Sequence, residues 1–277
     1  MTGKGVVRIG NSVFHWGTRT YIMGIINLSP DSFSGDGCTS VDEAMRKASQ
    51  MVEDGVDIID VGGESTRPDA TPVTANEEIK RVIPFIKEAA GSMQVPISVD
   101  TYKIDVARCA LDAGASIIND VSGLRIEPEL VRMAATYRAA IVLTSNQRGQ
   151  AVDNIVESVI TNLKDEIELA ISEGVDRGNI IVDPGIGFGK TVQQNLELVC
   201  RLDELKVLGQ PILLGTSRKS FIGKVLDSPV AERFEGTAAT VAIGISKGAD
   251  IVRVHETRKM KLVCMMSDAV CRSNFVG

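Results

Sequence analysis

A (β/α)8 TIM barrel in a single domain, residues 1–277 with 1–20 as an N-terminal lead-in, is the fold this chain predicts. Three observations carry it. Eight short apolar runs rich in Ile and Val recur along the sequence, a helical pattern follows each run, and the unit of about 35 residues is that of an α/β barrel. The runs are continuously apolar instead of alternating, as expected of parallel strands buried on both faces. A doubly wound open sheet is the alternative, weakened by the count of eight units and by the absence of GxGxxG after the first strand.

The elements follow in order. Residues 21–26 form the first run, end in Asn27, and precede a helical stretch at 41–54; residues 57–61 lead through a Gly-rich segment to a helix at 75–90. Residues 95–99 end in Asp100 and precede a helix at 104–113, and 115–118 end in Asn119 and Asp120 before a helix at 128–136. Residues 139–143 are the fifth strand, followed by a helix at 154–173; residues 179–182 are the sixth, followed by 193–205. Residues 211–215 and 250–252 complete the set, with helices at 235–247 and 256–271. In such a barrel all strand C-termini open on one face, so the polar residues that end each run converge on one mouth.

The most pointed of these ends is DPGIGFGKT, residues 183–191, after the β-branched run. Asp183 sits where a buried strand opens into a loop, placed to accept two parallel hydrogen bonds from a ligand's N–H groups. The three alternating glycines allow positive φ and close approach to a flat ligand. Alone, this pattern reads equally well as a tight βα turn capped by Asp; convergence with the other strand ends raises the functional reading.

The bulk numbers exclude several classes. A net charge of −6 with one Trp and three Tyr gives no nucleic-acid surface, so no nucleic-acid partner is expected. No window approaches the roughly 18 apolar residues of a membrane span, and the first 16 residues lack a signal-peptide core, so no membrane association is expected. The five cysteines form no CxxC pair and are odd in number, which points to a reducing cytoplasm. Two histidines are too few for an ordinary zinc site, whereas an oxygen-ligated Mg²⁺ arriving with a phosphate is compatible. The last helical stretch carries Met260, Val263, Met265 and Met266, more apolar surface than one barrel face requires, and predicts a homodimer through the C-terminal helices.

Seven segments in order, MGIINLSPDSF (23–33), DVGGESTRP (60–68), SVDT (98–101), IND (118–120), DPGIGFGKT (183–191), SRKS (217–220) and RVH (253–255), resemble the dihydropteroate synthase family. The resemblance implies condensation of 6-hydroxymethyl-7,8-dihydropterin pyrophosphate with p-aminobenzoate, two small-molecule substrates, with Mg²⁺ as cofactor. It implies that Asp183, Asn119 and Lys219 hold the pterin edge, and that Asp100 lies beneath the pterin as positive charge develops. By the same resemblance Asn27, Thr66, Arg67, Arg253 and His255 bind the pyrophosphate, Asn27 also touching the metal, and Phe33, Pro68, Phe188 and Ser220 receive p-aminobenzoate. Asp100, Lys219, Arg253 and His255 are the expected catalytic residues. The chain departs from the family after the fifth strand, where in place of a usual Met-His pair it reads Leu143, Thr144, Ser145, Asn146, Gln147, Arg148 and Gly149 in a loop about one residue longer, and at Asp69, which replaces a usual glycine. Two other readings remain open here. Related methyltetrahydrofolate-dependent methyltransferases share pterin binding, although the 217–220 and 29–33 segments argue against them, and a non-catalytic pterin-binding paralogue would carry the same pocket.

Overall fold

The computed structural model describes residues 5–29, 37–65 and 71–272. It opens with an antiparallel hairpin, β1 (Val6–Ile9) and β2 (Ser12–His15), turned at Gly10 with φ of 56°. The barrel strands follow: β3 (Tyr21–Asn27), β4 (Ile58–Gly62), β5 (Ile97–Asp100), β6 (Ile117–Asp120), β7 (Ala140–Thr144), β8 (Ile180–Asp183), β9 (Leu213–Leu214) and β10 (Ile251–Val254). All neighbouring barrel strands pair in parallel, β10 pairs with both β3 and β9, and a bridge between Val182 and Ile212 joins β8 to β9 and closes the ring.

The helices are α1 (Val41–Glu53), α2 (Ala75–Ser92), α3 (Ile104–Asp112), α4 (Leu130–Tyr137), α5 (Ile155–Ser172), α6 (Val192–Cys200), α7 (Ser220–Leu226), α8 (Phe234–Lys247) and α9 (Thr257–Cys271). Their starts are chemically marked. Ser40, Thr74 and Asn154 accept from the backbone N–H three residues on, and Thr191 with Gln194 forms a reciprocal capping box. Sequence periodicity does not reveal α7, a two-turn helix of seven residues. The stretch read as one helix from Gln193 instead ends at Cys200 and continues as a 3₁₀ segment, Leu202–Leu208.

Strand register divides the barrel residues into two sets. Ile22, Ile26, Ile59, Val61, Ile97, Val99, Ile118, Ile141, Leu143, Ile180, Val182, Ile212, Leu214, Val252 and Val254 face the helices in one large apolar cluster. The alternate residues face the interior, which is apolar at the N-terminal end: Tyr21, Met23, Ile58, Ile117, Ala140, Val142, Ile181, Leu213 and Ile251. The lead-in segment seals that end. Ile9, Phe14 and Trp16 join the same cluster, and the rings of Phe14, Trp16 and Tyr21 lie 4.9–5.2 Å apart, within the range of favourable aromatic pairing. Continuing the same inward parity toward the strand C-termini gives Asp60, Ser98, Asp100, Asn119, Thr144, Asp183 and Arg253, because side chains alternate with period two. One end of the barrel is therefore a packed plug and the other a polar floor.

Candidate active site

Asp183 ends β8, and its Oδ1 accepts from the Gly185 N–H at 2.7 Å. The loop that follows is held against the β7–α5 loop: Ser145 N–H donates to the Asp183 carbonyl, Gln147 N–H to the Phe188 carbonyl, and the Lys190 ammonium donates to Ser145 O, Gln147 Oε1 and Gly185 O at 2.8, 2.6 and 2.9 Å. Gly185 has φ of 70°, and a Cβ there would meet Ser145 O at 1.9 Å, so this glycine is required by loop-to-loop packing. Gly187, with φ of 83°, would place a Cβ 3.2 Å from Lys219 Cδ. The glycines thus bring two protein loops and Lys219 together, where the sequence suggested close approach to a ligand.

Lys219 lies between β9 and α7, its ammonium 4.3 Å from the centroid of the Phe188 ring, a cation–π contact. Burial pushes Lys219 down to about 8, opposed by the Asp183 carboxylate. Burial also raises Asp183, offset by the Gly185 N–H and by Lys219. Arg148 approaches the same Phe188 ring at 5.2 Å.

On the opposite wall, Arg253 donates through Nε to Asp60 Oδ2 and through Nη2 to Asp100 Oδ2, both at 2.6 Å, while Asn119 Nδ2 donates to Asp60 Oδ2 at 3.2 Å. Asp60 is wholly buried and Asp100 nearly so. Asp100 is pushed up to about 7, by burial first and then by the neighbouring Asp60 charge, with Arg253 acting against both. Oδ1 of Asp60 and Oδ1 of Asp100 are buried with no hydrogen-bond partner among the described residues. His255, just past β10, shares a hydrogen bond of 2.8 Å between its Nδ1 and Ser217 Oγ, while its own backbone N–H donates to Ser217 Oγ at 3.3 Å. Burial and the nearby Arg218 and Arg253 hold His255 well below the usual histidine range, so it is neutral at pH 7.

Of the residues expected from sequence, Asp100, Asn119, Asp183, Lys219, Arg253 and His255 share the barrel mouth, and Phe188 joins them beneath Lys219. Asn27 ends β3, half-buried, its carbonyl accepting from Cys38 N–H at 2.8 Å. Ser220 is exposed and starts α7. Phe33, Thr66, Arg67 and Pro68 lie outside the described residues. Asp60, Ser217 and Lys190 were not singled out by sequence, although each sits inside or beside a recognised segment. Asp60 reads locally as a turn cap, and only the register of β4 shows it pointing at Arg253.

A family model described as pterin binding enzyme matches residues 23–255. The chain belongs to the pterin binding enzyme family. Within that family it is 47% identical over 268 residues to a dihydropteroate synthase of Clostridium beijerinckii, covering 96% of this chain and all of that enzyme. The structure of a Clostridium difficile dihydropteroate synthase in the presence of pteroic acid superposes with a TM-score of 0.89 at 49% identity, over 94% of this chain and 99% of that one. That of Xanthomonas albilineans dihydropteroate synthase with 4-aminobenzoic acid gives 0.90 at 36% identity, over 97% and 98%. As members of this pterin binding family, these proteins share the (β/α)8 barrel described above.

Proposed function

We propose that this chain is a dihydropteroate synthase, joining 6-hydroxymethyl-7,8-dihydropterin pyrophosphate and p-aminobenzoate to give 7,8-dihydropteroate and pyrophosphate. The observation that carries this reading is the meeting, at one barrel mouth, of an N–H acceptor (Asp183), a cation (Lys219) and a carboxylate with a free buried oxygen (Asp100), in a chain close to dihydropteroate synthases over nearly its whole length.

In this reading the pterin edge donates to Asp183, Asn119 completes the contact, and Lys219 donates to the ring acceptors. The methylene carbon loses its bond to pyrophosphate as the p-aminobenzoate nitrogen attacks it. Positive charge spreads over the pterin and its methylene, and the buried Asp100 carboxylate stabilises it where little water screens the interaction. The departing pyrophosphate is met by the Nη1 of Arg253, which its two carboxylate contacts leave available, and by the imidazole of His255. The attacking amine loses a proton as the new C–N bond forms. Thr66 and Arg67 complete the pyrophosphate site, and Phe33, Pro68, Phe188 and Ser220 hold the ring and carboxylate of p-aminobenzoate.

Magnesium belongs to the same reading. No cluster of three His, Cys, Asp or Glu exists among the described residues. A neutral amide oxygen from Asn27 together with substrate phosphate oxygens is, however, a donor set that suits Mg²⁺, which keeps several waters and leans on phosphates. The ion would neutralise charge on the leaving group. The reading also includes a homodimer, supported by exposed Leu262, Met265, Met266 and Val270 on α9 and Ile243 on α8. Met260, counted toward that surface from sequence, is instead fully buried in the core. A cytoplasmic location is supported by five cysteines that all remain free. No helix of the described residues is long and apolar enough to cross a membrane.

The test is formation of dihydropteroate from the two substrates with Mg²⁺, dependent on p-aminobenzoate and accompanied by pyrophosphate release. Pterin binding without turnover would make the chain a binding paralogue.

A further inference from the structure

Thr144 ends β7 with no accessible surface, and its Oγ1 has no hydrogen-bond partner among the described residues. A buried hydroxyl without a partner is unusual, because folding removes its water and gives nothing back. The neighbours of Thr144 do not share this property: Ser145 Oγ is bonded to Asn162 and Gln147, and Asn146 is bonded to Val121 O and Arg148 N. The orphan hydroxyl is therefore confined to one position in an otherwise satisfied loop.

Its direction follows from register. Thr144 is paired with Asp183 across β7 and β8, and paired residues of parallel strands project to the same face. Ala140 and Val142 of the same strand lie in the interior cluster, so Thr144, two residues further on, also points inward, toward the mouth and beside Asp183. Asp183 uses Oδ1 for the Gly185 N–H, leaving Oδ2 for a ligand. An amine held by that oxygen presents a second N–H, and the residue in register with Asp183 on β7 carries a hydroxyl that can accept it.

We infer that Thr144 is a specificity-determining residue of the pterin pocket, its Oγ1 accepting a hydrogen bond from the exocyclic amine whose other N–H is held by Asp183. The inference rests on the pterin reading above and adds to it a polar contact where this chain departs from the family's usual methionine. Thr144 is as deeply buried as Asn119, which is only 2% exposed and is assigned to the same pterin edge. The contact discriminates a 2-amino heterocycle from one that lacks the amine, since only the former satisfies the hydroxyl.

The experiment is calorimetric titration of wild type, Thr144→Val and Thr144→Ser with 6-hydroxymethylpterin and with its 2-desamino counterpart. Valine is nearly isosteric with threonine and carries a methyl group in place of the hydroxyl. Thr144→Val is expected to bind the amino ligand about tenfold more weakly, equivalent to about 1.4 kcal/mol, and to bind the desamino ligand as wild type does. Thr144→Ser is expected to stay close to wild type with both ligands. Without ligand, Thr144→Val is expected to melt no lower than wild type, because an unpaired buried hydroxyl has been removed. Equal weakening toward both ligands, or none toward the amino ligand, overturns the assignment of Thr144 while leaving the pterin reading intact. Failure of the wild-type chain to bind 6-hydroxymethylpterin overturns both.

Discussion

Arg253 donates from Nη2 to Asp100 Oδ2 at 2.6 Å, and this contact ties the cation assigned to the leaving group to the carboxylate assigned to the reacting carbon. The same guanidinium is anchored behind by Asp60, also at 2.6 Å. One partly buried cation between two buried carboxylates fixes the position of both chemical groups, and removing one member leaves an uncompensated charge.

The pH dependence follows from this arrangement. Asp100, near 7, must be ionised to stabilise a cation, and Lys219, near 8, must be protonated to donate. We expect kcat/KM to rise with pH through about 7 and to fall through about 8, both being apparent values of the coupled cluster. In Asp60→Asn the negative charge that raises Asp100 is gone, so the acid limb should move to lower pH. A limb that stays in place in this variant shows that Asp100 is not the group titrating.

Lys219→Ala and Asp183→Ala should each lose roughly 2 to 4 kcal/mol of transition-state stabilisation, about 30- to 1,000-fold in kcat/KM, through loss of charge-assisted hydrogen bonds in a desolvated site. Steady-state kinetics read this directly, with circular dichroism to check folding. A well-folded variant of either kind with near-normal kcat/KM would show that the pterin pocket has been misplaced.

Glu166 on α5 is a buried carboxyl held by Asn162 Nδ2 at 3.1 Å, and burial together with Asp120 and Asp165 pushes it up to about 8, with Lys190 acting the other way. Between about 4.5 and about 8 the folded chain keeps a proton that the unfolded chain has released, so this group's contribution to stability declines as pH rises. Glu166→Gln keeps the shape and abolishes the titration. Its melting temperature relative to wild type should therefore climb from pH 5 to pH 8. A constant difference across that range would contradict a neutral buried Glu166.

If, as proposed, Phe33 and Pro68 receive p-aminobenzoate while Arg67 beside Pro68 binds pyrophosphate, the two ligands should bind cooperatively, and p-aminobenzoate should bind poorly without pyrophosphate and Mg²⁺. Calorimetry should show affinity for p-aminobenzoate or a sulfonamide mimic rising at least about tenfold, or ~1.4 kcal/mol of coupling, when a pterin, pyrophosphate and Mg²⁺ are present. Chelating the metal should abolish the gain. Equal affinity in both conditions favours a preformed acceptor pocket.

Met266 on α9 is 66% exposed, within the apolar patch proposed to face a second copy of the chain. Light scattering at micromolar concentration should give the mass of a dimer for wild type, and Met266→Asp should shift it toward monomer by placing a charge in that interface. A monomeric wild type removes the dimer from the reading.

How far the sequence reaches differs from element to element. The eight strands were legible because parallel barrel strands are covered on both faces and so carry short runs rich in Ile and Val, with polar residues gathered toward their C-terminal ends. Asp100, Asn119, Asp183, Lys219, Arg253 and His255 were legible because each stands at or just beyond a strand end, and strand ends of a barrel share one face. Other features arise only from long-range geometry. The hairpin of β1 and β2 is visible locally as a lead-in, yet its role as a plug depends on Phe14 and Trp16 meeting Tyr21 inside the closed ring. Asp60 looks like a turn residue until β4 is set in register and Arg253, 193 positions away in sequence, is found against it. Lys190 looks like one more residue of a glycine loop until that loop folds onto residues 145–147. Sequence alone determined the periodicity, the burial pattern and the chemistry available at each strand end, all of which depend on neighbours a few residues apart. Tertiary structure alone decided which charges pair and which polar atoms are left without a partner, because those outcomes depend on distances between strands that only the closed barrel sets.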